Sequence, residues 1–482
     1  MSRFGRQATP SLPRPPIPPL PRKGSSPRLP RGARVTTGPV GWTTLTLALP
    51  VLAEQILNTL VGLVDTYLAG QISAAATSAV GLSAYVGWLG AMLVMLIGTG
   101  TTALVARYEG RREHEKANHF ANQSITLAVA LGIFLFVLCY ELAPWFARYC
   151  RMTGEAHTIS VHYLRMDAVG HLAMSVMIVG CAGLRGVGNM RTPLTIYAVI
   201  NVVNVVFSWG LMYGVGPLPR MGVQGIVVGT VIAKMTGATL TVALLAGGRH
   251  GLELLWSEAP LVWRSASRIL RIGIPAAADG AIMWSGHFIF LAIISRLASP
   301  PLGEAYFAAH VIAIRVEAFS YLPAVAWAAA TATMIGQSLG AGDPRRAIRC
   351  GHQAVLQCVV LSAVIAALFY VGAPFIFRQM TVDAAVQAAG VRPFQFLAMF
   401  QPLLVTAIVY IGALRGAGDT RFPLLITIVG TIFIRVPLGY YFGIVRGGGL
   451  LGAWMGMFGD MTWRAVAATA RYAGGAWVRT RV

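Results

Sequence analysis

Apolar residues run along this chain in twelve long stretches separated by clusters of charge and polar loops. Six lie near 42–70, 79–106, 118–142, 161–184, 193–215 and 222–247, and six more near 269–296, 305–335, 349–377, 390–414, 422–446 and 449–472. A hydrocarbon core about 30 Å thick takes about 20 helical residues per crossing, so each stretch can span it, some with tilt. The pattern predicts an all-α membrane protein of twelve transmembrane helices.

The second six repeat the first. Residues 184–194 read LRGVGNMRTPL and residues 414–424 read LRGAGDTRFPL, an offset of 230 with both Gly, both Arg and the Pro retained. At the same offset GTGTTALVARYEGRREHEKA (98–117) faces AAATATMIGQSLGAGDPRRA (328–347), each ending an apolar run in a basic loop. Each half opens with a proline inside its first span and an acid one turn on: Pro50 with Glu54, Pro275 with Asp279. Such a proline removes one ladder hydrogen bond and bends the helix. The symmetry breaks fifteen residues beyond each proline, at Asp65 and Phe290. Halves with an even number of spans share one orientation, which predicts two six-helix lobes related by a pseudo-two-fold along the membrane normal, with substrate between them.

The first forty residues stand apart, rich in Pro and Arg and without an acidic residue. The expected division is a disordered cytoplasmic tail (1–41), a first lobe (42–247), a cytoplasmic linker (248–268), a second lobe (269–472) and a cytoplasmic C-terminal tail (473–482). Composition agrees: 56% of residues are hydrophobic and 11% charged, too few charges to cover a soluble protein of this size. The net charge of +21 would suggest nucleic acid in a soluble chain, but 26 basic residues fall on the side of the N-terminal tail and 8 on the opposite loops. That asymmetry places both termini in the cytoplasm of a multi-pass protein of the cell (inner) membrane. The five cysteines form no CxxC pair, so neither a disulfide framework nor a thiolate metal site is indicated. No zinc spacing, Walker loop or nucleophile elbow stands in a loop that could form a catalytic domain, so no enzyme is expected.

Candidate chemistry lies inside the spans. Glu54, Asn58 and Asp65 share one face of the first helix, and Asn201, Asn204 and Ser208 repeat such a stripe on the fifth. An intramembrane carboxylate is costly when ionised unless paired, and is by default a functional hypothesis. On the sixth span Thr230 is followed by Lys234, which either offsets a carboxylate or, as favoured from the sequence, snorkels to the inner interface. Asp279, Glu317 and Arg435 are the polar candidates of the second half, with Glu317 and Arg435 expected to form a structural pair and Asp460 with Arg464 a local one at i, i+4. His171, His287 and His310 read as satisfied core or interface residues.

The segment LALPVLAEQILNTLVGLVDTYLAG (47–70), the two LRGxG loops, AAHVIAIRVEAFSYLP (308–323) and GQSLGAGDPRRA (336–347) together resemble the multidrug and toxic compound extrusion family over about residues 42–472. The resemblance implies a two-lobed transporter that exports amphiphilic, often cationic compounds in exchange for H⁺ or Na⁺. By position Asp65 matches the family's coupling aspartate in the VDT motif, Pro50 the bending proline, Asn204 the asparagine of the cation site and Thr230 its threonine, with Glu54 a further coupling candidate. Members with a sodium site in this lobe often carry an aspartate where Ser208 stands, and NorM-like members use carboxylates where Met283 and Leu404 stand. The implied arrangement is therefore DinF-like, with H⁺ favoured, Na⁺ possible at Asp65, Asn204 and Thr230, and no other cofactor or metal. Expected partners are a small organic substrate and membrane lipids, with no nucleic acid, around a monomer. The rival readings are a lipid-linked oligosaccharide flippase or polysaccharide exporter, which would need a cationic central cavity, and a major facilitator transporter, whose GxxxDRxGRR loop RYEGRR (107–112) matches only in part.

Overall fold

The structure is a computed structural model that describes residues 35–150, 152–248 and 250–480. Most of the predicted N-terminal tail, residues 1–34, lies outside the described residues. The first lobe contains α1 (Val40–Gly70), α2 (Ala74–Gly110), α3 (His114–Tyr149), α4 (Gly154–Gly186), α5 (Arg191–Tyr213) and α6 (Val223–Ala246). The second contains α7 (Trp263–Ile294), α8 (Leu302–Gly340), α9 (Pro344–Met380), α10 (Ala384–Gly416), α11 (Arg421–Val445) and α12 (Gly449–Ala473). Eleven helices among the described residues are long and apolar enough to cross a membrane by length and composition. The remaining one is α12, which carries Asp460, Arg464 and Arg471. The fold is the all-helical, two-lobed architecture that the sequence predicts.

The internal repeat is geometric as well as textual. Both LRGxG segments end the fourth helix of their lobe, and the second glycine of each, Gly188 and Gly418, takes the same left-handed φ of 88°. Only glycine adopts that conformation without strain, so each motif turns the chain sharply into the next helix. The lobes differ in α11, where two stretches of π-helix, Val429–Arg435 and Tyr441–Val445, interrupt the α-helical ladder. Wide turns of this kind are uncommon and concentrate at functional or strained places.

α4 and α10 are the central helices of their lobes. α4 packs against α2, α3 and α6, and α10 against α8, α9 and α12. The lobes join at the face that carries the start of α1. There Thr333 Oγ1 and Gln337 Nε2 of α8 each donate to the LRGxG turn, to the carbonyls of Arg185 and Gly186, both at 2.9 Å. Gly340 lies against the Arg107 backbone, and an Arg107 amine donates to the Thr480 carbonyl at 3.4 Å.

Two helices do not keep to one lobe. Before Pro50, Leu47 and Ala48 of α1 are buried in a cluster with Trp327, Met334 and Cys350 of the second lobe. After it, Leu68 and Ala69 are buried with Met212 and Ile226 of the first. Helix α7 does the reverse: Ile269 and Ile272 sit in a first-lobe cluster with Val94 and Leu104, whereas Phe290 and Ile294 sit with Trp454 and Phe458 of the second lobe.

Candidate cation site in the first lobe

Asp65 is buried where α1, α5 and α6 meet. One carboxylate oxygen accepts from Thr230 Oγ1 at 2.8 Å and the other from Asn204 Nδ2 at 3.2 Å. The same amide nitrogen reaches Thr230 Oγ1 at 3.1 Å and Ser208 Oγ at 3.3 Å, and Ser208 donates to the Ile226 carbonyl at 3.2 Å. Local sequence explains the convergence. Gly229 on α6 lies against the Ser208 backbone, where a Cβ would have no room, so α5 and α6 approach closely enough for Asn204 and Thr230 to bind the two oxygens of one carboxylate. The Asn204 Oδ1 acceptor is buried and has no donor.

Seven acids are buried among the described residues: Glu54, Asp65, Asp167, Asp279, Glu317, Asp419 and Asp460. Five carry a salt bridge: Glu54 to Arg185, Asp167 to Lys234, Asp279 to Arg415, Asp419 to Arg471, and Asp460 to both Arg435 and Arg464. Asp65 and Glu317 have none, and are held by neutral donors alone. An unpaired carboxylate out of water carries a large desolvation cost, which a proton or a bound cation removes.

The structure therefore brings Asp65, Asn204 and Thr230 together, with Ser208 as a fourth member, and leaves Glu54 outside. Glu54 stands eleven positions earlier on α1, about 16 Å along the axis, where it pairs with Arg185. Pro50 lies inside α1, four residues before Glu54. Asn58 is exposed, and Asn201 bonds only within its own helix, to the Tyr197 carbonyl at 2.8 Å.

Two expectations need correction. Lys234 does not snorkel: its ammonium turns inward to Asp167 at 2.5 Å, over Gly170, which leaves space for the lysine stem. Ser83 Oγ donates to the other Asp167 oxygen at 3.1 Å. Glu317 does not pair with Arg435. Its carboxylate accepts from Gln401 Nε2 at 3.1 Å, while Arg435 reaches Asp460 at 2.8 Å. Asp460 is the stronger attractor because it is fully buried at the start of a network that also holds Arg464, Thr427 and Thr431. The expected Asp460–Arg464 pair is present at 2.6 Å. His310 accepts from the Trp454 indole at 3.2 Å, and His171 contacts the Asp167 carbonyl at 3.1 Å.

Sequence reasoning passed over Arg185 and Arg415. Both stand in the quoted LRGxG repeats, and each pairs with the acid that follows a helix proline in its own lobe. The common offsets of arginine and acid were the signal: two features that repeat together can be one contact repeated.

Comparison with known proteins follows the same lines. The family model MatE matches residues 50–209 and 275–441. Among curated proteins, a probable multidrug resistance protein NorM of Thermotoga maritima is 28% identical over 440 residues, covering 90% of this chain and 93% of the relative. The multidrug resistance protein PmpM of Pseudomonas aeruginosa is 26% identical over 88% of this chain and 89% of its own length. Among solved structures, a MATE protein in its bent conformation superposes with a TM-score of 0.85 at 21% identity, covering 93% of this chain and 99% of the other. An outward-facing multidrug resistance transporter of the MATE family gives 0.84 at 21% identity over the same shares.

Proposed function

The chain belongs to the MatE family, and from that membership we propose that it exports amphiphilic, often cationic organic compounds in exchange for protons, by alternating access. The observation that carries the reading is Asp65, a buried carboxyl group in the first lobe held by Thr230 and Asn204 and by no basic residue. Its neighbour Asn204 Oδ1 lacks a donor. A proton on Asp65 cancels the charge, and once the Asn204 amide turns over, so that Oδ1 takes the place where Nδ2 now faces the carboxylate, the acid O–H supplies the missing donor. Proton and substrate then compete through conformation: the ionised form favours one arrangement of the lobes and the neutral form the other, and a ligand shifts that balance only by its differential affinity for the two.

Ser208 supplies a hydroxyl where members with a sodium site in this lobe often have a carboxylate, so the cluster holds a single negative charge, which one proton balances. This is a DinF-like arrangement in a chain several of whose curated relatives carry the name NorM. The side bearing most basic residues is the cytoplasm, both termini lie there, and the protein works as a monomer in the cell membrane with no cofactor other than the coupling ion.

Uptake of a fluorescent organic cation into proteoliposomes, with and without a pH gradient and with and without Na⁺, tests the reading. A pH gradient drives uptake in the intact protein, and Asp65→Asn abolishes it while the dye still binds. Uptake driven only by Na⁺ sinks the proton assignment. Uptake driven by neither brings the flippase reading forward.

A further inference from the structure

Each lobe's first helix begins against the other lobe. Gly41 of α1 lies against the Gln353 side chain, its carbonyl accepts from Gln357 Nε2 at 2.8 Å, and Arg346 of α9 binds the Val35 and Gly38 carbonyls at 2.8 and 2.7 Å. Arg268 of α7 reaches the Tyr108 hydroxyl of α2 at 2.8 Å, and Ser265 meets His119 of α3 at 2.9 Å. The connector before α7 is bound to the first lobe too. Gln123 of α3 donates to the Glu258 and Pro260 carbonyls at 2.8 and 2.9 Å and accepts from the Val262 amide at 2.7 Å. Both crossovers end at the same device: a proline, then one turn later an acid clamped by the arginine of its own lobe's LRGxG turn, Glu54 by Arg185 and Asp279 by Arg415.

We propose that Arg185 and Arg415 are positioning residues of the transport cycle, each pinning a helix just past its proline, so that residues 40–49 travel with the second lobe and residues 263–274 with the first. The moving bodies are then divided at Pro50 and Pro275, not at the connector. A hinge needs a place where the ladder is already weakened and a rigid anchor on each side. The proline supplies the first, and the buried apolar contacts before it and the ion pair after it supply the second. The proposal takes from the exporter reading only that a cycle exists.

Spin-label distances test it in the full chain, with Cys150, the exposed native cysteine, replaced by serine. Gly340→Trp opens the seam independently of any coupling ion, because Gly340 lies against the backbone of Arg107 and Gly110. Labels go on exposed positions. Between parent and Gly340→Trp, the Arg111–Asp343 distance lengthens. Trp42–Leu356 and Ser267–His114 stay fixed, while Trp42–Arg191 and Ser267–Arg349 shift. The opposite pattern, in which the first two of these pairs shift and the last two stay fixed, overturns the proposal, as does a result in which none of the five distances changes.

The pins have their own arm. Arg185→Gln broadens the Trp42–Arg191 distribution and Arg415→Gln broadens Ser267–Arg349, while lysine at either position keeps it narrow. Glutamine variants as narrow as the parent overturn the role of the arginines. Dye transport by the same parent separates the two readings. A chain that moves no dye yet shows the expected pattern loses the exporter reading alone, and an active chain with the opposite pattern loses this one alone.

Discussion

The two lobes share a fold and a repeat, yet they balance their buried charge differently. In the first, the buried acids Glu54, Asp65 and Asp167 meet two paired bases, Arg185 and Lys234. In the second, Asp279, Glu317, Asp419 and Asp460 share their networks with four, Arg415, Arg471, Arg435 and Arg464. Arg435 lies within electrostatic reach of Glu317 as well as bridging Asp460. The buried charges of the second lobe thus balance in number, although Glu317 itself has no salt bridge, and the first lobe lacks one positive charge. The position of the missing charge agrees with the internal offset: Phe290, fifteen residues beyond Pro275, is 1% exposed and packed in the second-lobe core, where the first lobe has Asp65. In the proposed division of labour the first lobe carries the ion switch, and the arginine network on α11 and α12 neutralises Asp460 in the second.

The sharpest way to break this comparison is to make the same change in both lobes. Asp460→Asn strands Arg435 and Arg464 in the interior, and removing one partner of a buried pair costs about 3–5 kcal/mol. Asp65→Asn removes a charge that no base compensates, so folded stability holds or rises although transport is lost. Thermal unfolding in one detergent measures both. Equal losses of stability in the two variants would mean that the Asp65 carboxylate is as fully compensated as Asp460, and the contrast would fall.

A smaller effect sharpens the first-lobe half. Lys234→Met leaves Asp167 buried with only Ser83 as donor, and the excess negative charge beside Asp65 doubles. The expected loss is about 3 kcal/mol, at the lower end for a broken buried pair. Asp167→Asn combined with Lys234→Met recovers most of it, because no unpaired charge is then left. A double variant no more stable than the single one would show that the pair holds α4 to α6 by shape and not by charge.

How far the sequence disclosed this arrangement depends on the range of each interaction. Span positions and the two-lobe plan follow from apolar run length and from the LRGxG repeat, because membrane insertion reads the chain locally. Asp65 and Asn204 were legible because helical periodicity sets each in a polar stripe, and Thr230 because the family resemblance joins it to them. Lys234 was misjudged because snorkelling is the default expectation for an intramembrane lysine, although Lys234 stands at the middle of α6, and the space that Gly170 leaves for its stem belongs to another helix. Glu317 and Arg435 were paired wrongly because composition reveals opposite charges but not which acid lies nearer. The π-helical turns that carry Arg435 have no simple sequence signal. The crossover of α1 and α7 was hidden for a related reason: both halves of a spanning helix are equally apolar, so hydropathy cannot tell which lobe each half touches.

The mildest test concerns packing and uses glycines in the two first helices. Gly286 of α7 faces the Thr431 side chain on the π-helical turn, so close that a Cβ would overlap it, whereas Gly62 of α1 has open space around it. Thr431 cannot simply rotate away, because its hydroxyl accepts from Arg464 at 2.7 Å. Gly286→Ala therefore pushes on the arginine network itself and costs about 1–3 kcal/mol, as overpacking of a filled core does. Gly62→Ala replaces a helix-weakening residue in an uncrowded place and is neutral or gains up to about 1 kcal/mol. The diagnostic is where the strain goes. If Gly286→Ala leaves dye transport coupled to the pH gradient while lowering the melting temperature, the second lobe contributes stiffness and the first contributes the ion. If it instead uncouples transport at unchanged stability, the arginine network takes part in ion exchange, and the division of labour between the lobes has to be abandoned.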